Sequence, residues 1–205
     1  ETALKQLRRS FVHLNNKLEQ IDLSVGRISS ISKGVQYFTQ AHPHSITGVA
    51  LDELLHSTQT VVNNTTKGFQ VDIELDKLPK ITCNPGQLCF TFAILMTNAA
   101  EALEAVKAEH KDRRAFFDGK IKVTGRLHKQ GEQSGILLAV EDNGGGIPAE
   151  KFESVFEAYS STRGGSHMGM GLSICKLLVR QNRGTIQATG SSNLGGARIE
   201  IFLPA

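Results

Sequence analysis

The sequence predicts a two-layer α/β sandwich preceded by a long helical stem. Three observations lead there. Short stretches with period-two alternation lie before and after one strongly apolar helix signal, at 87–109. Two glycine-rich connectors, DNGGGI at 142–147 and GMGLS at 169–173, mark a strand end and a helix start. The first 43 residues instead repeat apolar side chains at steps of three and four. Strands, a helix, and further strands with a second helix between them pack as one helical layer on one sheet.

In the stem, Leu4, Leu7, Phe11, Leu14, Leu18, Ile21, Val25 and Ile28 form a heptad seam. Ser32 interrupts it, and Val35 resumes it. The helix is expected to run to about Gln40 and stop before Pro43. At 1.5 Å per residue it would be about 60 Å long. One helix cannot bury such a stripe alone, so a homodimer through the stem is expected; packing on the globular part is the alternative. The division is therefore 1–43, a helical dimerisation stem, and 44–205, a globular domain.

Beyond the linker His42-Pro43-His44-Ser45, residues 48–51 read as a short strand and 51–63 as a helix. Phe69 to Leu75 alternate as a half-buried strand, and Ile81 and Thr82 form another. In the helix at 87–109, Leu88, Phe92, Leu95, Ala99, Leu103 and Val106 make a core stripe. Beside it run Gln87, Thr91, Ile94, Asn98 and Glu101. Asn98 offers an oxygen of the kind Mg²⁺ accepts alongside phosphate and water. Residues 107–119 are charged and read as a loop; 121–127 alternate again. The apolar run 136–140 leads to Asp142 at a strand end, where glycines permit positive φ and close ligand approach. Leu172, Ile174, Cys175, Leu178 and Val179 continue from the second glycine motif at helical spacing. Glycines entering a helix N-terminus suit an anion, through free N–H groups and the helix dipole.

The order of an Asn98-bearing helix, DNGGGI and GMGLSI resembles the catalytic domain of sensor histidine kinases, relatives of gyrase-type ATPases. Residues 84–88, the phenylalanine-containing stretch 155–163, and the closing segments 183–186 and 195–204 match the family in the same order. The resemblance covers roughly 49–204 and implies a sandwich of the histidine-kinase/gyrase ATPase type. It implies ATP and Mg²⁺ as ligands. Asp142 would accept the adenine amine, and Asn98 would hold Mg²⁺. Gly144 and Gly146 would let the chain pass under the base. Gly169 and Gly171 would present N–H groups to the phosphates. Ile147, Phe156, Met170 and Leu172 belong to the same cofactor-binding motifs. Arg163 would stand near the terminal phosphate, and 148–168 would form a lid. The resemblance further implies transfer of the γ-phosphoryl group to a histidine, then to the receiver domain of a response regulator.

The family's acceptor-histidine box resembles HLNNKL at 13–18, but the usual histidine position is Val12. His13 is one step out, about 100° around a helix. Three readings stay open: His13 acts from a shifted frame, Val12 occupies the acceptor position, or the acceptor helix lies outside this chain. A second departure is Ile94, four residues before Asn98, where the family carries a polar residue. Ile94 cannot orient a water, which argues against gyrase-like hydrolysis and weakens ligand positioning. A third is Gly165-Ser166-His167-Met168, which resembles a cloning remnant within the lid. Ile94 and the out-of-register His13 motivate the alternative of a non-catalytic nucleotide-sensing or scaffold module.

Composition narrows the classes further. With 23 basic and 20 acidic side chains the formal charge is +3, and no Lys/Arg block occurs, so nucleic-acid binding has no support. Cys83, Cys89 and Cys175 lack metal-ligand spacing and read as free thiols of a reducing, cytoplasmic setting. No stretch reads as a membrane span or signal peptide, so no membrane contact by this fragment is expected.

Overall fold

The computed structural model describes residues 17, 45–110, 117–158, 169–191 and 193–205. The rest of the stem, with Val12 and His13, and residues Arg163 and His167 lie outside them. Strand β1 (Ile46–Val49) precedes helix α1 (Leu51–Thr66), then β2 (Gln70–Leu75) and β3 (Ile81–Cys83). Helix α2 (Pro85–His110) leads to β4 (Lys120–Gln130) and β5 (Gln133–Asp142). Two short 3-10 turns at Ala149–Lys151 and Ser154–Phe156 follow. Helix α3 (Gly171–Gln181), β6 (Thr185–Gly190) and β7 (Ala197–Pro204) complete the domain.

The main sheet has the order β2-β4-β5-β7-β6, and β1 pairs separately with β3. The β2–β4 pair is parallel; the β4–β5, β5–β7 and β6–β7 pairs are antiparallel. A parallel neighbour requires a crossover, and α2 lies within it. The three helices cover one face of the sheet. Ile121, Val123, Ile136, Leu138, Val140, Ile199, Ile201 and Leu203 all point into that core. Helix α2 packs against α1, α3, β4 and β5, so it is the central helix of its layer.

That position accounts for two departures from the expectations above. The helix continues to His110, four residues into the segment read as a loop beginning at 107. Its Pro85–Glu109 portion, whose most apolar 18 residues have a mean hydropathy of 1.3, is also long and apolar enough to cross a bilayer. The stripe alone did not reveal this, because Met96 and Ala100 are buried beside Leu88, Phe92, Leu95, Ala99 and Leu103. A helix flanked by two helices and a sheet buries more than one stripe. Each fully buried Leu or Phe there contributes about 1.5–3 kcal/mol relative to exposure.

Polar side chains join the start of α2 to the end of α3. The Asn84 amide donates to Asn182 Oδ1 at 2.7 Å, and Asn84 Oδ1 accepts from the Gln87 amide at 3.1 Å. Asn182 Nδ2 donates to Gln87 Oε1 and to the Leu178 carbonyl, at 2.9 and 2.8 Å. These bonds satisfy helix-end groups that burial would otherwise leave without partners. They also set the register of α3 along α2.

Candidate functional site

Strand alternation separates two adjacent carboxylates. On β5, Asp142 shares the helix-facing side with Ile136, Leu138 and Val140, whereas Glu141 lies on the opposite face. Asp142 is only 5% exposed, and its cross-strand neighbour is Ile121. Its Oδ1 accepts hydrogen bonds from the amides of Gly144 (2.8 Å) and Ala197 (3.3 Å). The carboxylate is thus oriented by backbone from two segments, the glycine loop and the entry to β7.

Those segments come close because they lack side chains. A Cβ on Gly144 would stand 2.9 Å from Ala102 Cβ and 3.0 Å from Asp142 Oδ1. A Cβ on Gly196 would overlap the Asp142 carbonyl oxygen, 2.5 Å from Oδ1 and 2.7 Å from the Gly144 amide. Gly146 has φ 74°, a conformation that costs glycine little, and it faces the Gly196 backbone. Asn143 turns the other way. Its Nδ2 donates to the Asp118 carbonyl at 2.8 Å, and its Oδ1 accepts from the Lys120 amide at 2.6 Å. It fastens the loop to the start of β4.

The helical wall comes from α2. Asn98 and Ala102 are four residues apart and share a face, about 6 Å apart along the axis. Gly144 packs on Ala102, while Gly171, the first residue of α3, packs beside Asn98 and Ile94. A Cβ on Gly171 would lie 3.1 Å from Ile94 Cγ2 and 3.9 Å from Asn98 Oδ1. The glycine loop and the α3 N-terminus therefore meet successive turns of one helix. No side chain caps α3, whose N-cap is Met170; Ser173 Oγ donates instead to the Met170 carbonyl at 2.9 Å. Met170 and Leu172 are half-buried, and Gly169 has φ 62°.

Phe156 is buried in the second 3-10 turn, and Ile147 and Phe152 pack against the core as partly buried neighbours. Lys176 Nζ stands 5.7 Å from the centre of the Phe156 ring, a cation–π contact tying that turn to α3. Two of the thiols, Cys83 and Cys175, are buried. Burial pushes the Cys175 thiol far up, and the Cys83 thiol up to about 11.

Of the residues singled out from sequence, Asp142, Gly144, Gly146 and Ile147 share one loop, and Asn98 meets Gly171 at the start of α3. Gly196, the Ala197 amide and Asn143 belong to the same arrangement and were not assigned from sequence. The doublet Gly195-Gly196 ahead of the last strand was the available signal. The single amide oxygen of Asn98, half-buried beside an uncapped helix start, suits Mg²⁺ whose other ligands are phosphate and water.

Residues 83–205 match the family described as histidine kinase-, DNA gyrase B-, and HSP90-like ATPase. Among curated proteins, the sensor histidine kinase ZraS of Escherichia coli O157:H7 is 28% identical over 163 residues, 78% of this chain and 32% of that protein. The sensor protein CitS of Halalkalibacterium halodurans is 36% identical over 110 residues, 54% of this chain and 18% of that protein. The chain thus spans about a third or less of the length of these relatives. Among solved structures, the nucleotide-free catalytic domain of histidine kinase ThkA superposes with a TM-score of 0.61 at 21% identity, covering 78% of this chain and 97% of that one.

Proposed function

The chain belongs to the histidine kinase-, DNA gyrase B- and HSP90-like ATPase family, and on that premise we propose that it is the ATP–Mg²⁺-binding core of a sensor histidine kinase. The observation that carries this reading is Asp142, a buried carboxylate on the helix-facing end of β5, whose Oδ1 accepts from the backbone amides of Gly144 and Ala197. A carboxylate accepts from the exocyclic amine of adenine. Guanine would present an oxygen there, leaving two acceptors opposed, at a cost of about 1–3 kcal/mol or more.

In this reading Gly144, Gly146 and Gly196 leave room for the base, with Ile147 beside it. Gly169, Met170, Gly171 and Leu172 bring the first N–H groups of α3 to the phosphates. Asn98 would hold Mg²⁺, which offsets phosphate charge when bound. Phe156 would anchor the lid, and Arg163 would stabilise charge as the γ-phosphoryl departs. The transfer breaks the bond between the γ-phosphorus and the β–γ bridging oxygen, and forms a phosphorus–nitrogen bond on an imidazole. ADP leaves with that bridging oxygen. The imidazole is His13 or that of an acceptor helix outside this chain. The phosphoryl group would pass to an aspartate of a response-regulator receiver domain, in the cytoplasm, from a homodimer formed through the stem.

Incubation of the chain with γ-labelled ATP and Mg²⁺, alone and with a supplied acceptor stem, tests the reading. An acid-labile, base-stable phosphate is expected. ATP binding without any such product supports the second reading, a nucleotide-sensing module. Ile94 favours that alternative, because it presents only methyl groups to Gly171 beside Asn98.

A further inference from the structure

Behind Asp142, on the opposite face of the sheet, lies a buried ionic cluster with no part in the reading above. Glu141 is 1% exposed. One of its oxygens, Oε1, is bound by Arg198 Nη1, and the other accepts from Ser191 Oγ at 2.8 Å. Arg198 is also held by Glu200, its Nε donating to Oε1 at 2.8 Å. Ser191 directly follows β6, at the start of the connection to β7. Its amide donates to the Gly196 carbonyl at 3.0 Å, and its hydroxyl accepts from the Leu194 amide at 3.0 Å. Glu141 thus grips both ends of that turn, through Ser191 on one side and Arg198 on the other. Between those ends sit Gly196 and Ala197, the residues that close on Asp142.

A carboxylate nearly sealed from water is a costly way to join two strands that already share a ladder. Its placement one residue before Asp142 suggests a more particular use. We infer that Glu141 is a positioning residue for base recognition: by clamping the β6–β7 turn through Ser191 and Arg198, it keeps the Ala197 amide on Asp142 Oδ1. Asp142 then retains one fixed orientation toward the adenine amine. The inference rests on the proposed nucleotide site and deepens it.

The test uses the full chain, with ATP and GTP affinities measured by calorimetry for wild type, Glu141→Gln, Glu141→Ala, Ser191→Ala and the double variant Glu141→Ala/Ser191→Ala. Ser191→Ala removes one hydroxyl and leaves the Glu141–Arg198 pair, so it folds even if Glu141→Ala does not. ATP affinity is expected to fall about fivefold in Ser191→Ala and about tenfold or more in Glu141→Ala. The ATP-over-GTP preference should fall in both. Glu141→Gln, whose single amide oxygen can still accept from one of the two partners, should recover part of the loss. The double variant should be no worse than Glu141→Ala, because both changes open the same clamp. ATP affinity and base preference at wild-type values in Ser191→Ala and in folded Glu141→Ala would overturn the inference while leaving the nucleotide site standing. Absence of ATP binding by wild type would instead remove the site itself.

Discussion

Gly196→Ala is the sharpest test of the site geometry. The wild-type backbone at Gly196 is not left-handed, so any effect of a methyl group there is steric. The added Cβ would lie 2.5 Å from Asp142 Oδ1 and 2.7 Å from the Gly144 amide, against the 3.4 Å at which ordinary contact begins. The overlap is therefore roughly 0.7–0.9 Å. The atoms it meets are backbone and a two-carbon side chain, none of which can swing away. The β7 entry must retreat, which stretches the Ala197–Asp142 bond, already 3.3 Å. Overpacking of this kind costs about 1–3 kcal/mol. A cost of about 2 kcal/mol falling on the bound state corresponds to about a thirtyfold loss of affinity. Calorimetric titration with a non-hydrolysable ATP analogue and Mg²⁺ measures it, alongside a thermal melt to establish folding. Gly190→Ala is the matched control, since a Cβ there meets nothing within 4 Å. A cooperatively folded Gly196→Ala protein that binds the analogue within twofold of wild type would refute the convergence of backbone on Asp142 as a binding device.

Asp142→Ala should abolish adenine-nucleotide binding while the domain still melts cooperatively; unchanged affinity by calorimetry removes the assignment. Asn98→Ala should weaken binding with Mg²⁺ present far more than in its absence, and Ile94→Asn, which adds an amide oxygen next to Asn98, should enlarge the Mg²⁺-dependent part. An equal loss of affinity with and without the ion in Asn98→Ala, or an unchanged Mg²⁺-dependent part in Ile94→Asn, would contradict that reading. Burial raises the Cys83 thiol from 9.0 to about 11, so the folded state disfavours the thiolate. Its contribution to stability is complete below the unfolded value and is lost as pH rises through the folded one. Denaturant midpoints should therefore fall between pH 9.0 and about pH 11, less so in Cys83→Ser. For Glu200, burial acts to raise the carboxyl, but hydrogen bonds from Gln187 and Arg198 outweigh it and hold the group below its usual range. That contribution is present above the unfolded value and lost as pH falls through the folded one. Gln187→Ala should accordingly narrow the difference in melting temperature between neutral and mildly acidic buffer.

Much of the fold was legible in local pattern. Period-two runs mark β2 and β4, a continuous apolar run marks β5, and steps of three and four mark the core stripe of α2, because side-chain direction in a strand or helix repeats with the backbone. The same alternation places Asp142 on the helix-facing side, in line with Ile136, Leu138 and Val140, and sends Glu141 to the other face. The glycine motifs identified both connectors, although they did not say which glycines are sterically required.

That was decided by tertiary structure. Gly196 is indispensable only because β7 pairs with β5, bringing residue 196 onto residue 142. Ile94 and Asn98 meet Gly171 only because α3 docks along α2 in the register held by Asn84, Gln87 and Asn182. Asn143 reads as part of a ligand loop, yet its side chain serves β4. Glu141, beside Asp142 in the chain, joins Ser191 and Arg198 from the far end of it. Periodicity reports the face on which a side chain lies. What that face meets depends on contacts between segments tens of residues apart, and no local repeat records them.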